Sequence, residues 1–143
     1  MRVLNPRPSR QAQPLSEALR DAGHDVLELP LLAVEPLALD AVARTQILAL
    51  DRYDGVVFVS ANAARYGVAA VSDYWPQWPD PLPCVAVGVA TAAVLEAEGL
   101  RVHIAAQEDS EGMLALPILQ AVAGQHWLIC RGEDGRELLR STL

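Results

Sequence analysis

The sequence predicts an α/β fold: a parallel sheet with helices on both faces, flavodoxin-like in topology. Three observations carry that expectation. Short β-like runs alternate with helical stretches along the chain. The runs Val56-Val57-Phe58-Val59 and Val85-Ala86-Val87 are apolar throughout rather than alternating, as a strand covered on both faces requires. Gly23 and Gly99 each end a helical stretch just before a strand-like run, the place of a left-handed C-cap.

In chain order, the opening run Arg2 to Leu4 leads into a helical pattern at Gln11 to Gly23 and a second run at Asp25 to Leu29. Pro30 to Pro36 is extended, apolar and flanked by proline; it suits either a crossing between domains or an ordinary loop with an apolar lid. A helix is expected at Leu39 to Leu50, a strand at Gly55 to Val59 and a helix at Ala61 to Val71. Asp73 to Pro83 holds Trp75, Trp78 and four prolines, and reads as a surface excursion whose indoles pack back on the domain. Strand Pro83 to Val87, helix Ala90 to Gly99 and strand Arg101 to Ala105 follow. A helix is expected from Ser110 to Ala123, kinked at Pro117, then strand His126 to Cys130 and helix Gly135 to Leu143. Several helical stretches carry apolar residues at the i, i+3, i+4 spacing of one buried face.

Composition narrows the function. The chain has 143 residues, near the size of one domain, with 18 acidic side chains against 11 Arg and no Lys. Such a balance offers no basic stripe for nucleic acid. No apolar stretch reaches the roughly 20 residues of a membrane-spanning helix, and the start lacks the apolar core of a signal peptide, so a soluble, cytoplasmic protein is expected. Cys84 and Cys130 lie inside apolar runs and read as buried hydrophobes rather than a disulfide. His24, His103 and His126 are isolated, so no metal site is expected.

In open parallel sheets ligands bind beyond the carboxyl ends of the strands, where helix N-termini present unpaired amides. Four turns qualify: Val59-Ser60-Ala61-Asn62, Gly88-Val89-Ala90-Thr91, Glu108-Asp109-Ser110-Glu111 and Arg131-Gly132-Glu133-Asp134-Gly135. Ser60 and Ser110 have an ordinary alternative role as helix caps. Thr91 lies inside its helix, where capping is less natural, which favours a hydroxyl directed into a cleft. The Gly88 turn has one of the three glycines of a dinucleotide fingerprint and fails that motif. No Ser stands in a nucleophile elbow, and the lack of Lys removes phosphate-binding P-loops and receiver domains. Asn5-Pro6-Arg7-Pro8 is unsuited to the phosphate loop of a flavodoxin.

Four segments, in order, resemble the uroporphyrinogen-III synthases. They are Val3-Leu4-Asn5-Pro6-Arg7-Pro8 with Leu15, Leu19 and Gly23; Tyr53 to Ala63 with its Ser60-Ala61-Asn62-Ala63 ending; Val87-Gly88-Val89-Ala90-Thr91-Ala92 with Leu95 and Gly99; and Ser110 to Leu114 with Leu128 to Leu139. Asn5-Pro6 departs from the Thr that commonly precedes the Arg-Pro turn in that family.

The resemblance implies a two-domain enzyme with a discontinuous first domain. Met1 to Leu32 would be the first strand-helix-strand piece of that domain, and Ala33 to Leu143 most of the inserted second one. It implies cofactor-free closure of hydroxymethylbilane, a linear tetrapyrrole with eight carboxylates, to uroporphyrinogen III: water is lost, an azafulvene forms and the last ring inverts through a spirocyclic intermediate. Ser60, Ala61, Asn62, Thr91, Ser110 and Arg131 are then the expected substrate-binding residues, with a surface ion pair to Glu133 or Asp134 as the other role for Arg131. The Tyr often considered catalytic in the family has no counterpart here. The chain therefore reads as an N-terminal part that is inactive alone, monomeric by resemblance, with a strand-exchanged dimer as a further form. A non-catalytic binding or regulatory module of the same fold is the alternative.

Overall fold

The computed structural model describes residues 1–31, 33–132 and 138–142, which fall into two compact units, Met1–Leu37 and Ala38–Leu143. In the first, β1 (Arg2–Asn5) and β2 (Asp25–Glu28) pair in parallel, Arg2 opposite Asp25 and Asn5 opposite Glu28. Helix α1 (Ser9–Asp21) joins them. It begins earlier than the expected Gln11 because Pro8 holds φ at −50° and its carbonyl accepts from the Gln11 and Ala12 amides. It ends in a Schellman turn: the His24 amide donates to the Leu19 carbonyl, the Gly23 amide to that of Arg20, and Gly23 takes a φ of +84°.

The interior of this unit is small and polar. Asn5, Ser16 and Ala12 are buried; the Asn5 amide donates to the Ala12 carbonyl at 3.0 Å and to Ser16 Oγ at 2.9 Å. Asn5 Oδ1 in turn accepts from the Arg7 amide, so one side chain ties the end of β1, the Arg-Pro turn and α1 together.

The second unit is a four-stranded parallel sheet of β3 (Gly55–Phe58), β4 (Cys84–Ala86), β5 (Val102–Ile104) and β6 (Trp127–Cys130), in the order β5-β4-β3-β6. Its helices are α2 (Ala41–Leu48), α3 (Ala61–Ser72), α4 (Val89–Ala97), α5 (Ser110–Leu114) and α6 (Leu138–Thr142). Alternate residues of β3 and β4 enter two cores. Val56, Phe58, Cys84 and Ala86 meet Ile47 of α2, Val68 of α3 and Leu95 of α4. Val57 and Val85 meet Met113 of α5, Leu119 and Leu139 of α6. The sheet is thus covered on both faces, as its unbroken apolar strands required.

Trp75 and Trp78 pack back as expected. Their indole N–H groups donate to the carbonyls of Ile47 and Leu82, and the Trp78 ring lies 6.4 Å from that of Phe58. The expected helix Ser110 to Ala123 is corrected. α5 stops at Leu114, and Pro117–Leu119 forms a separate 3₁₀ turn. Pro117 has no amide for a helical bond, and Leu116 before it is held extended at ψ 135°, so the chain turns afresh instead of kinking. Of the expected helix Gly135 to Leu143, residues 135–137 and 143 lie outside the described residues, as do Glu133 and Asp134.

Candidate functional site

β3, β4, β5 and β6 run parallel, so their carboxyl ends share one edge of the sheet and all four nominated turns leave from it. The chain crosses from β3 to β4 and on to β5 in one direction, then returns to place β6 on the other side of β3. The carboxyl ends of β3 and β6 thus flank the point where strand order reverses, the usual position of a ligand crevice in an open sheet.

Each nominated residue has a definite place along that edge. Ser60 is the N-cap of α3, its Oγ accepting from the Ala63 amide at 3.0 Å, so the capping role is present. Ala61 opens the helix, and Asn62 one residue on accepts from Arg65 Nη1 at 2.9 Å. Thr91 lies in the first turn of α4, buried to 3% exposure in line with Ala92 and Leu95. α4 is capped by Gly88, which offers no side-chain acceptor.

Ser110 differs from its expected capping alternative. The cap of α5 is Asp109, whose Oδ1 accepts from the Gly112 amide at 2.6 Å. Sequence reasoning places the cap one residue late, although Asp is as good an N-cap as Ser and the spacing Asp109 to Gly112 is visible in the chain. Ser110 instead lines a hollow of about 270 Å³ at the carboxyl edge, together with Arg131. Val59, Val87, Met113 and Leu139 supply its apolar wall, and Glu108 and Asp109 its acidic groups.

The structure therefore divides the nominated set. Ser110 and Arg131 line the hollow, while Ser60, Ala61, Asn62 and Thr91 belong to the N-termini of α3 and α4, whose buried faces pack on the opposite side of the sheet. Glu108 lies in a nominated turn but is not among the expected substrate-binding residues. Its place is marked by Gly88: a Cβ added there would fall within 2.6 Å of the Glu108 carboxyl carbon. That signal is invisible in sequence, since it depends on two turns meeting across the β4–β5 ladder.

Other chemistry is limited by the same geometry. Cys84 and Cys130 are free, and burial pushes both thiols up to about 12, Cys130 being raised further by Cys84. A neutral thiol at physiological pH is a poor nucleophile. Among the described residues no group of His, Cys, Asp and Glu could hold a metal ion.

Comparison with known proteins identifies the family. The family model described as Uroporphyrinogen-III synthase HemD matches residues 13–143. A uroporphyrinogen-III synthase of Proteus mirabilis is 31% identical over 147 residues, covering 100% of this chain and 73% of the relative. That of Escherichia coli (strain K12) is 32% identical over 145 residues, covering 100% of this chain and 59% of the relative. The chain thus spans 59% to 73% of the length of these two relatives. Among solved structures, the uroporphyrinogen III synthase of the extremely thermophilic bacterium Thermus thermophilus aligns with 100% of this chain and 56% of its own, at TM-score 0.55 and 19% identity. The Helicobacter pylori 26695 uroporphyrinogen-III synthetase aligns with 79% of this chain and 50% of its own, at TM-score 0.59 and 19% identity. These two share the fold, while the sequence matches carry the descent: the chain belongs to the uroporphyrinogen-III synthase family.

Proposed function

We propose that this chain serves as part of a uroporphyrinogen-III synthase, a lyase of tetrapyrrole and haem biosynthesis that closes hydroxymethylbilane with loss of water. The observation that carries the reading is the similarity to named synthases along the whole chain. The carboxyl edge supports it. A substrate with eight carboxylates needs anion donors spread over a wide surface. The amides at the N-termini of α3 and α4, with Ser60, Asn62, Thr91, Ser110 and Arg131, form such a spread without Lys. Positioning rather than acid–base chemistry is the main task, because the activated terminal ring reacts readily once the correct carbon is presented.

The finer parts of the reading go with it. The protein acts in the cytoplasm. No described helix is long and apolar enough to cross a membrane. Met1–Leu32 is the first piece of a discontinuous domain and Ala33–Leu143 most of the inserted one; the division of the chain into two compact units, five residues later at Leu37, supports a boundary in this region. The 143-residue chain, tested alone, forms no uroporphyrinogen III above the spontaneous rate.

The test is isomer analysis by chromatography after incubating the natural gene product with freshly generated hydroxymethylbilane. Excess III isomer in proportion to protein is expected. Thr91→Ala is expected to lower it while leaving Tm little changed. A folded gene product that yields only the spontaneous I isomer overturns the reading.

A further inference from the structure

We propose that the hollow at the carboxyl edge is a subsite for a single pyrrole ring and that Glu108, seated on Gly88, accepts the ring N–H. The inference rests on the synthase reading, which supplies the pyrrole, and extends it to a residue and a recognition rule that the nominated set lacks. Three features of the hollow point to this ligand.

Size comes first. At about 270 Å³ the hollow lies below the roughly 300–1,000 Å³ of drug-sized pockets, so it takes one ring with short substituents and not a whole tetrapyrrole. Second, its wall is apolar: Val59 and Val87 continue the buried faces of β3 and β4, and Met113 and Leu139 close it from α5 and α6. A flat aromatic ring suits such a wall, and the polarizable Met113 thioether favours contact with it.

Third, the two acidic groups of the lining favour a donor over an anion beside them. The Asp109 carboxylate is engaged at the Gly112 amide. Glu108 is exposed, lines the hollow, and among the described residues has no hydrogen-bond or ion-pair partner, so its oxygens retain their full capacity to accept. A substrate carboxylate placed against Glu108 would be repelled by both acids. A pyrrole N–H is a donor with no acceptor, and it matches Glu108.

Gly88 gives this arrangement its geometry. A Cβ at position 88 would stand against Glu108 Oε1 and 2.6 Å from its Cγ, so the acidic side chain lies where any other residue's side chain would be. The backbone at Gly88 has φ −170°, which any residue adopts, so the lack of a Cβ matters here for space and not for conformation. Replacing Gly88 by Ala displaces the flexible end of Glu108 and leaves the strand intact.

The experiment uses the 143-residue chain, isotope-labelled for amide NMR, titrated with a neutral trialkylpyrrole and separately with its N-methyl counterpart. Shifts clustered at Gly88, Glu108 to Met113 and Arg131 are expected. The N–H probe should bind about tenfold more tightly than the N-methyl one, the worth of one hydrogen bond to a charged acceptor. Glu108→Ala should bring the two within about twofold, Gly88→Ala should shrink the preference similarly, and Glu108→Gln should keep part of it. Equal affinity of the wild-type chain for both probes, no binding of either, an undiminished preference in Glu108→Ala, or shifts confined to other parts of the chain would each overturn the proposal. Isomer analysis of the gene product separates the two readings. Formation of the III isomer without N–H discrimination removes the subsite and leaves the synthase; discrimination without III formation does the reverse.

Discussion

The sheet of Ala38–Leu143 has apolar side chains on both faces and helices over both, whereas the β1–β2 pair of Met1–Leu37 has one helix and a core of Asn5, Ala12 and Ser16. In that smaller unit Leu4, Leu27 and Leu29 are 54%, 58% and 49% exposed. Both regions obey the same local rules: parallel pairing, a helical crossover and a Schellman turn at a glycine. What separates them is the number of layers. Two strands and a helix bury little apolar surface, and hydrogen bonds take over part of the role that aliphatic packing plays in the larger unit.

Substitution in the larger core should have the largest effect. Phe58→Ala removes a fully buried ring that bridges β3 and Trp78, and is expected to cost about 3–5 kcal/mol in urea unfolding. Leu27→Ala, at a residue 58% exposed, should stay within about 0.5 kcal/mol. If the two cost the same, the contrast between the units is wrong and Leu27 is buried in solution.

The next effect tests the polar core. Asn5→Ala leaves the Ser16 hydroxyl and the Ala12 carbonyl without their donor inside a buried site, a loss of about 1–3 kcal/mol. Hydrogen exchange is the discriminating measurement. Amides of α1 and β2 should lose protection while those of β3 and β4 keep theirs; uniform loss across both units would show them to unfold as one.

A pH effect belongs to the larger unit alone, because both cysteines lie there. Their thiols rise from 9.0 to about 12 on burial, so between those values the unfolded chain has lost protons that the folded chain retains. Stability from this source is therefore complete below pH 9 and declines toward pH 12. Cys84→Ala should flatten the alkaline limb of a stability profile, and neither thiol should react with a disulfide reagent at neutral pH before unfolding. Rapid labelling of the folded chain would contradict the burial.

How much of this is legible from sequence follows from the range of the forces involved. The unbroken apolar runs at Val56 to Val59 and Val85 to Val87 announce a sheet covered on both faces, because burial on two sides leaves no polar alternation. The glycine caps and the inward-packing tryptophans are readable for the same reason, each being a local preference with one strong solution. The helix after Ser110 is overextended in the sequence reading. Pro117 marks an interruption there, but a kink and a stop look alike in sequence, and five residues of helix have too little packing to carry the chain through it. At the edge of the sheet, the turns follow from strand ends, but Glu108 does not. Its seating depends on a contact between Gly88 and a residue twenty positions later, which no periodicity reports.

The smallest expected effect sets the two units side by side on one motif. Gly23 and Gly99 occupy the same place in the Schellman turns that end α1 and α4, with φ of +84° and +77°, and a Cβ at either would meet nothing within 4 Å. Replacing either by Ala therefore has no steric component, and the local cost is the conformational one of holding an L-residue left-handed, about 1 kcal/mol. Since the local cost is equal, any difference in outcome reports the context that absorbs it. In the larger unit, Gly99→Ala draws on a core that includes Leu95 just before the turn, so the strands beside it should remain protected. In the smaller unit the same loss falls on a helix held by Asn5 and Ser16, and Gly23→Ala should open α1 and β2 to exchange before any change is seen in β3. Equal protection in both variants would mean that the smaller unit draws stability from more than Asn5, Ala12 and Ser16, and the comparison would have to be redrawn around whatever supplies it.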